Sequence, residues 1–290
     1  MTSTLARAQQ GLPTKQTLRD VWSPQLRNRR DVDVYLPPSY PDNRRHPVIY
    51  MQDGQNLSDP TIAFAETWHL ESVFAGLASA RGREDRRGSA VPLAGALRDE
   101  LPVEPIIVGV HNHEDRLAEY SPFPSPKHGG GRADEYLSFL IRTLKPRIDR
   151  QFRTRRVAAE TGIVGSSMGG LVSLYAWFRR PDVFALAGVM SPSLWYGRER
   201  LLEFVEGARM PRGRLYLDVG RSEGGSTLRD ARALWSLIES KPRTADSRVE
   251  YLEDRAGRHD ETAWGRRLAG ALEFLLRREH ADADAEPAQP

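Results

Sequence analysis

The chain has 290 residues, enough for one sizeable core, with the apolar and aromatic content of a soluble globular protein. Its 42 basic and 39 acidic residues leave a net charge of +3, and the basic residues are scattered among Asp and Glu rather than clustered with aromatics, which argues against a nucleic-acid partner. Cysteine is absent, so disulfides, zinc–thiolate sites and a cysteine nucleophile are excluded.

The N-terminal stretch "MTSTLARAQQGLPTKQ" has no apolar h-region, and no apolar run reaches the roughly 20 residues of a spanning helix, so a cytoplasmic protein without a membrane partner is expected. "QTLRDVWSP" and "RDVDVYLPPSY" read as two early strands, the second stopped by Pro37 and Pro38, and "HPVIYMQ" (46–52) reads as a short buried strand ended by Asp53 and Gly54. "FAETWHLESVFAGLASA" (64–80) has helical spacing, with Phe64, Trp68, Leu70, Val73 and Leu77 close to one face. The polar, Gly/Pro-punctuated stretch 81–105 reads as an exposed loop or insertion, a lid being one option for it. "IIVGVH" (106–111) is a strand, and 132–152 an amphipathic helix with Tyr136, Phe139, Leu140 and Leu144 inward. Then strands "TGIVG", "FALAGVM", "RLYLDVG" and "RVEYLED" alternate with helices that begin at "SMGG", "RERL", "TLRD" and "TAWG". This series predicts an α/β protein with a mostly parallel central sheet and helices on both faces, one domain over 1–280, and a disordered tail over 281–290.

Within it, Gly165-Ser166-Ser167-Met168-Gly169 follows an apolar strand and opens a helix. G-x-S-x-G at such a junction is the pattern of a nucleophile elbow: the glycines permit a tight turn, and the helix N-terminus offers free N–H groups to a developing oxyanion. The pentapeptide alone is a weak signal, and Gly220-Arg221-Ser222-Glu223-Gly224 matches it too. Chain order separates them: Ser167 leaves three strands to carry an acid and a base, Ser222 only one. Of the histidines at 46, 69, 111, 113, 128, 259 and 280, only His259 lies after the last strand and outside the charged tail, which makes it the candidate base. The candidate acid belongs in the loop after "RLYLDVG", where Glu223 ranks before Asp230 and Asp218. The turn "MQDGQN" after the third strand aims the Gln55 N–H toward the oxyanion position shared with the Met168 N–H. "HNHED" (111–115) has a metal-like H-x-H but lacks a clear third ligand, so no metal is expected.

Taken together, "YMQDGQNLSD", "RLAEYSPF", "GIVGSSMGGLVSLYAWFRRPDVFALAGVMSPSLW", "LYLDVGRSE" and "GRHDETAWGRRL" resemble the "putative esterase" family of α/β-hydrolases, which includes esterase D-like, feruloyl and enterochelin (siderophore) esterases and the mycolyltransferases. The resemblance runs from about Val34 to about Leu275. It implies an α/β-hydrolase fold and serine-dependent ester chemistry on a small-molecule ester of siderophore, feruloyl or acetyl type, without cofactor or metal. It carries the nucleophile to Ser167, the base to His259, the acid to Glu223, and the oxyanion donors to Gln55 and Met168. It also implies Trp195 in "SPSLW" as a pocket residue, with Arg116 and Tyr120 of "RLAEY" near the mouth. Ser58, where the family commonly has an aromatic, and the long 81–105 stretch depart from the pattern and bear on substrate choice. Acyl transfer to an alcohol or sugar, and a non-catalytic binding module, are the competing expectations; oligomeric state is left open.

Overall fold

The computed structural model of the protein describes residues 11–77 and 104–277. The stretch expected as a loop over 81–105 lies outside the described residues except for Glu104 and Pro105, which are buried, and the expected tail lies outside them too.

Eight strands form the central sheet: β1 (Thr14–Ser23), β2 (Asn28–Leu36), β3 (Val48–Gln52), β4 (Ile106–Val110), β5 (Thr161–Ser166), β6 (Leu186–Met190), β7 (Gly213–Gly220) and β8 (Ser247–Asp254). Their spatial order is β1-β2-β4-β3-β5-β6-β7-β8. β1 and β2 pair antiparallel, β2 joins β4 antiparallel, and every pairing from β4 to β8 is parallel. This is the α/β-hydrolase arrangement. The middle strands β3, β4, β5 and β6 are buried at every position, as parallel strands covered on both faces must be.

Two cores follow from the period-2 alternation of those strands. Val48, Tyr50, Val108, Ile163, Val189 and Leu217 point into one. It is closed by α1 (Ala133–Phe139), α2 (Lys145–Gln151), α3 (Met168–Arg179), α4 (Arg198–Gly207) and α5 (Gly225–Ser240). Ile49, Met51, Ile107, Val164 and Tyr216 point into the other, closed by α6 (Glu261–Leu276) and by a helical stretch at 70–77. Residues 168–178 of α3 are all buried, which explains why its sequence is apolar on every side.

Two elements differ from expectation. The helix expected over 132–152 is interrupted by a π-helical segment, Leu140–Leu144, between α1 and α2. Pro146 is the physical reason: it has no N–H for the carbonyl a turn earlier, and its ring crowds that carbonyl, so the ladder widens just before it. The helix expected over 64–80 begins only at Leu70. His69 has φ +50°, which no continuing helix tolerates, while the Trp68 and Leu70 N–H groups donate to the carbonyls of Asn56 and Leu57 instead. Phe64 is therefore not on an inward helical face and is 90% exposed.

The turn after β3 touches the sheet closely. A Cβ on Gly54 would lie 2.3 Å from the carbonyl carbon of Gly109 in β4. Gly54→Ala is expected to destabilise the fold by about 1–3 kcal/mol, the range for overpacking, as read by urea unfolding.

Candidate active site

Ser167, His259 and Glu223 converge at the carboxyl ends of the parallel strands, where open α/β sheets bind ligands. Ser167 stands between β5 and α3 with φ +55° and ψ −122°, a backbone conformation unfavourable for any residue with a Cβ. Three hydrogen bonds hold it there: its N–H donates to the Met190 carbonyl (3.0 Å), and its carbonyl accepts from the N–H groups of Leu171 and Ser193 (each 3.0 Å). The turn also needs a missing side chain at Gly165, where a Cβ would sit 2.6 Å from the backbone of Gly169 and 2.8 Å from Gln52. The first-turn N–H groups of α3, Met168 among them, point away from the helix toward the Ser167 side of the turn.

His259 lies in the loop after β8, its Nε2 3.0 Å from Ser167 Oγ and its Nδ1 2.8 Å from Glu223 Oε2. Its ring meets Trp264 edge to face at 4.9 Å. Glu223 sits just past β7 with its side chain fully buried, accepting from the Gly220 N–H (2.7 Å) and the Ser191 hydroxyl (2.5 Å) through Oε1. Burial pushes its carboxyl up, but the hydrogen bonds from His259, Ser191 and Gly220 hold it below the ordinary glutamate value of 4.5. Of the other candidate acids, Asp230 lies on α5 and pairs with Arg198, and Asp218 is locked to Arg267 by two hydrogen bonds (2.8 and 3.1 Å). Burial pushes the Asp218 carboxyl up to about 6 despite that arginine.

A cavity of ≈ 440 Å³ opens beside Ser167 and His259. Gln55, Arg116, Phe64, Glu261 and Trp264 are among the residues that line it. Arg116 is bound to Asp53 by two hydrogen bonds of 2.6 and 2.7 Å. Tyr120, expected near the mouth, is instead fully buried beneath Arg116, its hydroxyl accepting the Asp53 N–H at 3.3 Å. Trp195, expected in the pocket, does not line this cavity; it is 59% exposed and rests edge-on against His128 and Tyr196. The two histidines of "HNHED" diverge, His111 binding Asp33 at 3.0 Å while His113 faces Asp115 at 3.9 Å. His113, Asp115 and Glu119 each offer one ligand atom within 4.8 Å of the others; Glu119 accepts from Arg30 and Asn28 through Oε1, at 2.8 Å each, while its buried Oε2 has no hydrogen-bond partner among the described residues.

Sequence reasoning misses four contributors. Ser191, with φ +43° and no exposure, gives its proton to Glu223 and accepts from Trp264 Nε1 and Arg267 Nη2, each at 3.0 Å. Arg267 is the hub beneath it, reaching Asp218, Asp254 and Ser191. Ser193 touches the Ser167 hydroxyl at 2.9 Å. Asn112 ties Asp53 to the Gln55 turn, donating to the Asp53 carboxylate through Nδ2 and to Gln55 Oε1 through its N–H. One signal was available: Arg267 falls in the apolar stripe Trp264–Leu268–Ala271, a position where a charge needs a buried partner.

Strand order and the site at the sheet's carboxyl edge define an α/β-hydrolase. The profile of the family described as "Putative esterase" matches residues 23–275, and the chain belongs to that family. It is thus an ester hydrolase of the α/β-hydrolase class acting on small esters. The chain is 27% identical over 262 residues to the uncharacterized protein YbbA of Bacillus subtilis (strain 168), covering 86% of this chain and 92% of that one. It is 33% identical over 91 residues to a siderophore enterobactin esterase of Emericella nidulans, 30% of each chain. The BES protein from Bacillus cereus has a similar fold, with a TM-score of 0.69 at 18% identity over 91% of this chain and 95% of that chain.

Glu223 has a folded-state pKa below its unfolded value, so it binds fewer protons when folded; the stability it adds is present above about pH 4.5 and is lost as the pH falls through the folded value. The difference in urea stability between wild type and Glu223→Gln is expected to shrink from pH 6 to pH 3, and a difference that stays constant would overturn the linkage.

Proposed function

We propose that the protein is a serine carboxylic ester hydrolase that works through an acyl-enzyme, with Ser167 as nucleophile, His259 as general base and Glu223 as the acid that orients it. The observation that carries this reading is the unbroken hydrogen-bonded chain from Ser167 Oγ through His259 to Glu223, at 3.0 and 2.8 Å. An anionic Glu223 accepts a hydrogen bond from Nδ1–H, which keeps the proton on Nδ1 and leaves Nε2 bare to take the proton of Ser167 as its oxygen attacks the ester carbonyl. The N–H groups of Met168 and Gln55 receive the oxyanion, each such donor being worth about 3 kcal/mol of barrier. The imidazolium then protonates the departing alkoxide, and water activated by the same ring releases the acid.

An ester of siderophore, feruloyl or acetyl type is the substrate class this reading takes, in keeping with the siderophore esterase among the relatives. The ≈ 440 Å³ cavity, with Phe64 and Trp264 on its wall, has room and apolar surface for such an acyl group.

Ser167→Ala is expected to lower p-nitrophenyl acetate hydrolysis by a factor of at least about 10³, and His259→Gln by a similar factor. A fluorophosphonate probe is expected to form one adduct, on Ser167, located by peptide mass spectrometry. Retained hydrolysis in Ser167→Ala, or an adduct elsewhere, would overturn the reading.

A further inference from the structure

Ser193 stands two residues beyond Ser191 in the loop after β6, and its hydroxyl oxygen lies 2.9 Å from Ser167 Oγ. It is 3% exposed, and its hydroxyl has no other hydrogen bond among the described residues. Distance alone does not say which of the two hydroxyls donates, but the rest of the chain does. The buried Glu223 carboxylate is an acceptor only, so His259 Nδ1 carries the proton that faces it and Nε2 is an acceptor. The single proton of Ser167 is therefore directed at Nε2. Only the Ser193 proton is left for the contact between the two hydroxyls, and it points at Ser167 Oγ.

On the reading that Ser167 is the nucleophile, we propose that Ser193 is a further catalytic residue: a hydrogen-bond donor to Ser167 Oγ that chiefly assists deacylation. In the free enzyme Ser193 already donates to a neutral hydroxyl, so the bond strengthens only modestly on the way to attack. In the acyl-enzyme, Oγ is the alkyl oxygen of an ester and a poor acceptor. Water adds to the acyl carbon and gives a proton to His259 Nε2. The tetrahedral adduct then collapses: the C–Oγ bond breaks, its electron pair goes to Oγ, and Oγ takes the proton back from Nε2. Charge builds on Oγ during that collapse, and the Ser193 O–H, which keeps its own proton, donates to it. A bond that is weak in the acyl-enzyme and charge-assisted at the transition state lowers this barrier. The backbone holds the donor in register, since the Ser193 N–H donates to the Ser167 carbonyl and the Ser193 carbonyl accepts from the Tyr196 N–H.

The test is stopped-flow hydrolysis of p-nitrophenyl acetate by wild type, Ser193→Ala, Ser193→Cys and Ser193→Thr, with rapid-quench intact-mass spectra and the fluorophosphonate labelling rate measured in parallel. Ser193→Ala and Ser193→Cys, the latter a near-isosteric weak donor, are expected to release nitrophenolate in a burst and to accumulate acetylated Ser167. Their steady-state turnover should fall about tenfold while labelling changes by less than about threefold. Ser193→Thr, which keeps the hydroxyl, should restore turnover. Wild-type turnover without an acetyl adduct in the first two variants overturns the role of Ser193 alone. Labelling and turnover slowed in equal measure also overturn it, because the residue would then only shape the turn. A wild-type enzyme that does not label at Ser167 overturns the serine mechanism itself.

Discussion

The site depends on one unfavourable backbone conformation. Ser167 is held at φ +55° and ψ −122°, a state costing on the order of 1–3 kcal/mol, because only there do its Oγ and the first N–H groups of α3 face the same volume. The three backbone hydrogen bonds that offset this cost come from β6, from α3 and from the loop after β6. The turn is thus secured by the neighbouring strand, the loop after it and the helix that follows, and its geometry is a property of the fold rather than of a pentapeptide. That is why Gly220-Arg221-Ser222-Glu223-Gly224, with the same spacing, makes a different object: residues 221–223 form a single 3-10 turn whose glutamate folds back onto the Gly220 N–H.

Electrostatics beneath the turn select which carboxylate faces the histidine. Asp218 and Glu223 both have fully buried side chains, and Arg267, itself 4% exposed, lies between them. An arginine has a planar fork and can satisfy one carboxylate bidentately. Arg267 gives that fork to Asp218 and stands 3.8 Å from Glu223, leaving Glu223 to be satisfied by a backbone N–H, the Ser191 hydroxyl and His259. Ser191 is the junction of the two halves, accepting hydrogen bonds from Arg267 and Trp264 and donating its own to Glu223. A buried Arg–carboxylate group of this kind is weak evidence for stability, since desolvation offsets most of the Coulombic attraction. What it supplies here is a fixed address for each negative charge.

Sequence order was enough to nominate Ser167, His259 and Glu223, because a doubly wound sheet brings the loops after its parallel strands to one edge whatever lies between them. Alternation and apolar runs were enough for the central strands and for Tyr136, Phe139, Leu140 and Leu144, all of which are fully buried. Both kinds of inference fail where a side chain's partner lies in a distant loop. Ser191, Ser193 and Asn112 are short polar residues in irregular segments, and nothing periodic marks them. Phe64 fails for a local reason: helical spacing counts it as inward, but the helix starts only after the left-handed His69, at Leu70, and the ring stands in solvent at the cavity rim. Family resemblance carried Trp195 to the pocket and Tyr120 to its mouth, whereas Trp195 rests on His128 and Tyr196 and Tyr120 lies buried under Arg116.

The same distinction applies to Arg116, which does line the cavity. An arginine at the mouth of an ester site invites the reading of an anion receptor, yet its guanidinium is bound bidentately by Asp53, whose other strong donor is Asn112. Asp53 is a non-glycine residue at φ +55°, the first residue of the turn that presents Gln55, and its own N–H is capped by the buried Tyr120. An anionic substrate group that captured Arg116 would have to take it from a carboxylate that is almost fully desolvated, leaving that charge without its counterion. The cheaper arrangement keeps the pair intact, so the arginine holds Asp53 at the start of the turn that carries Gln55. The two amides proposed as oxyanion donors, those of Gln55 and Met168, then each follow a non-glycine residue held at positive φ, Asp53 on one side and Ser167 on the other, and each of those residues is held by interactions that a substrate does not replace.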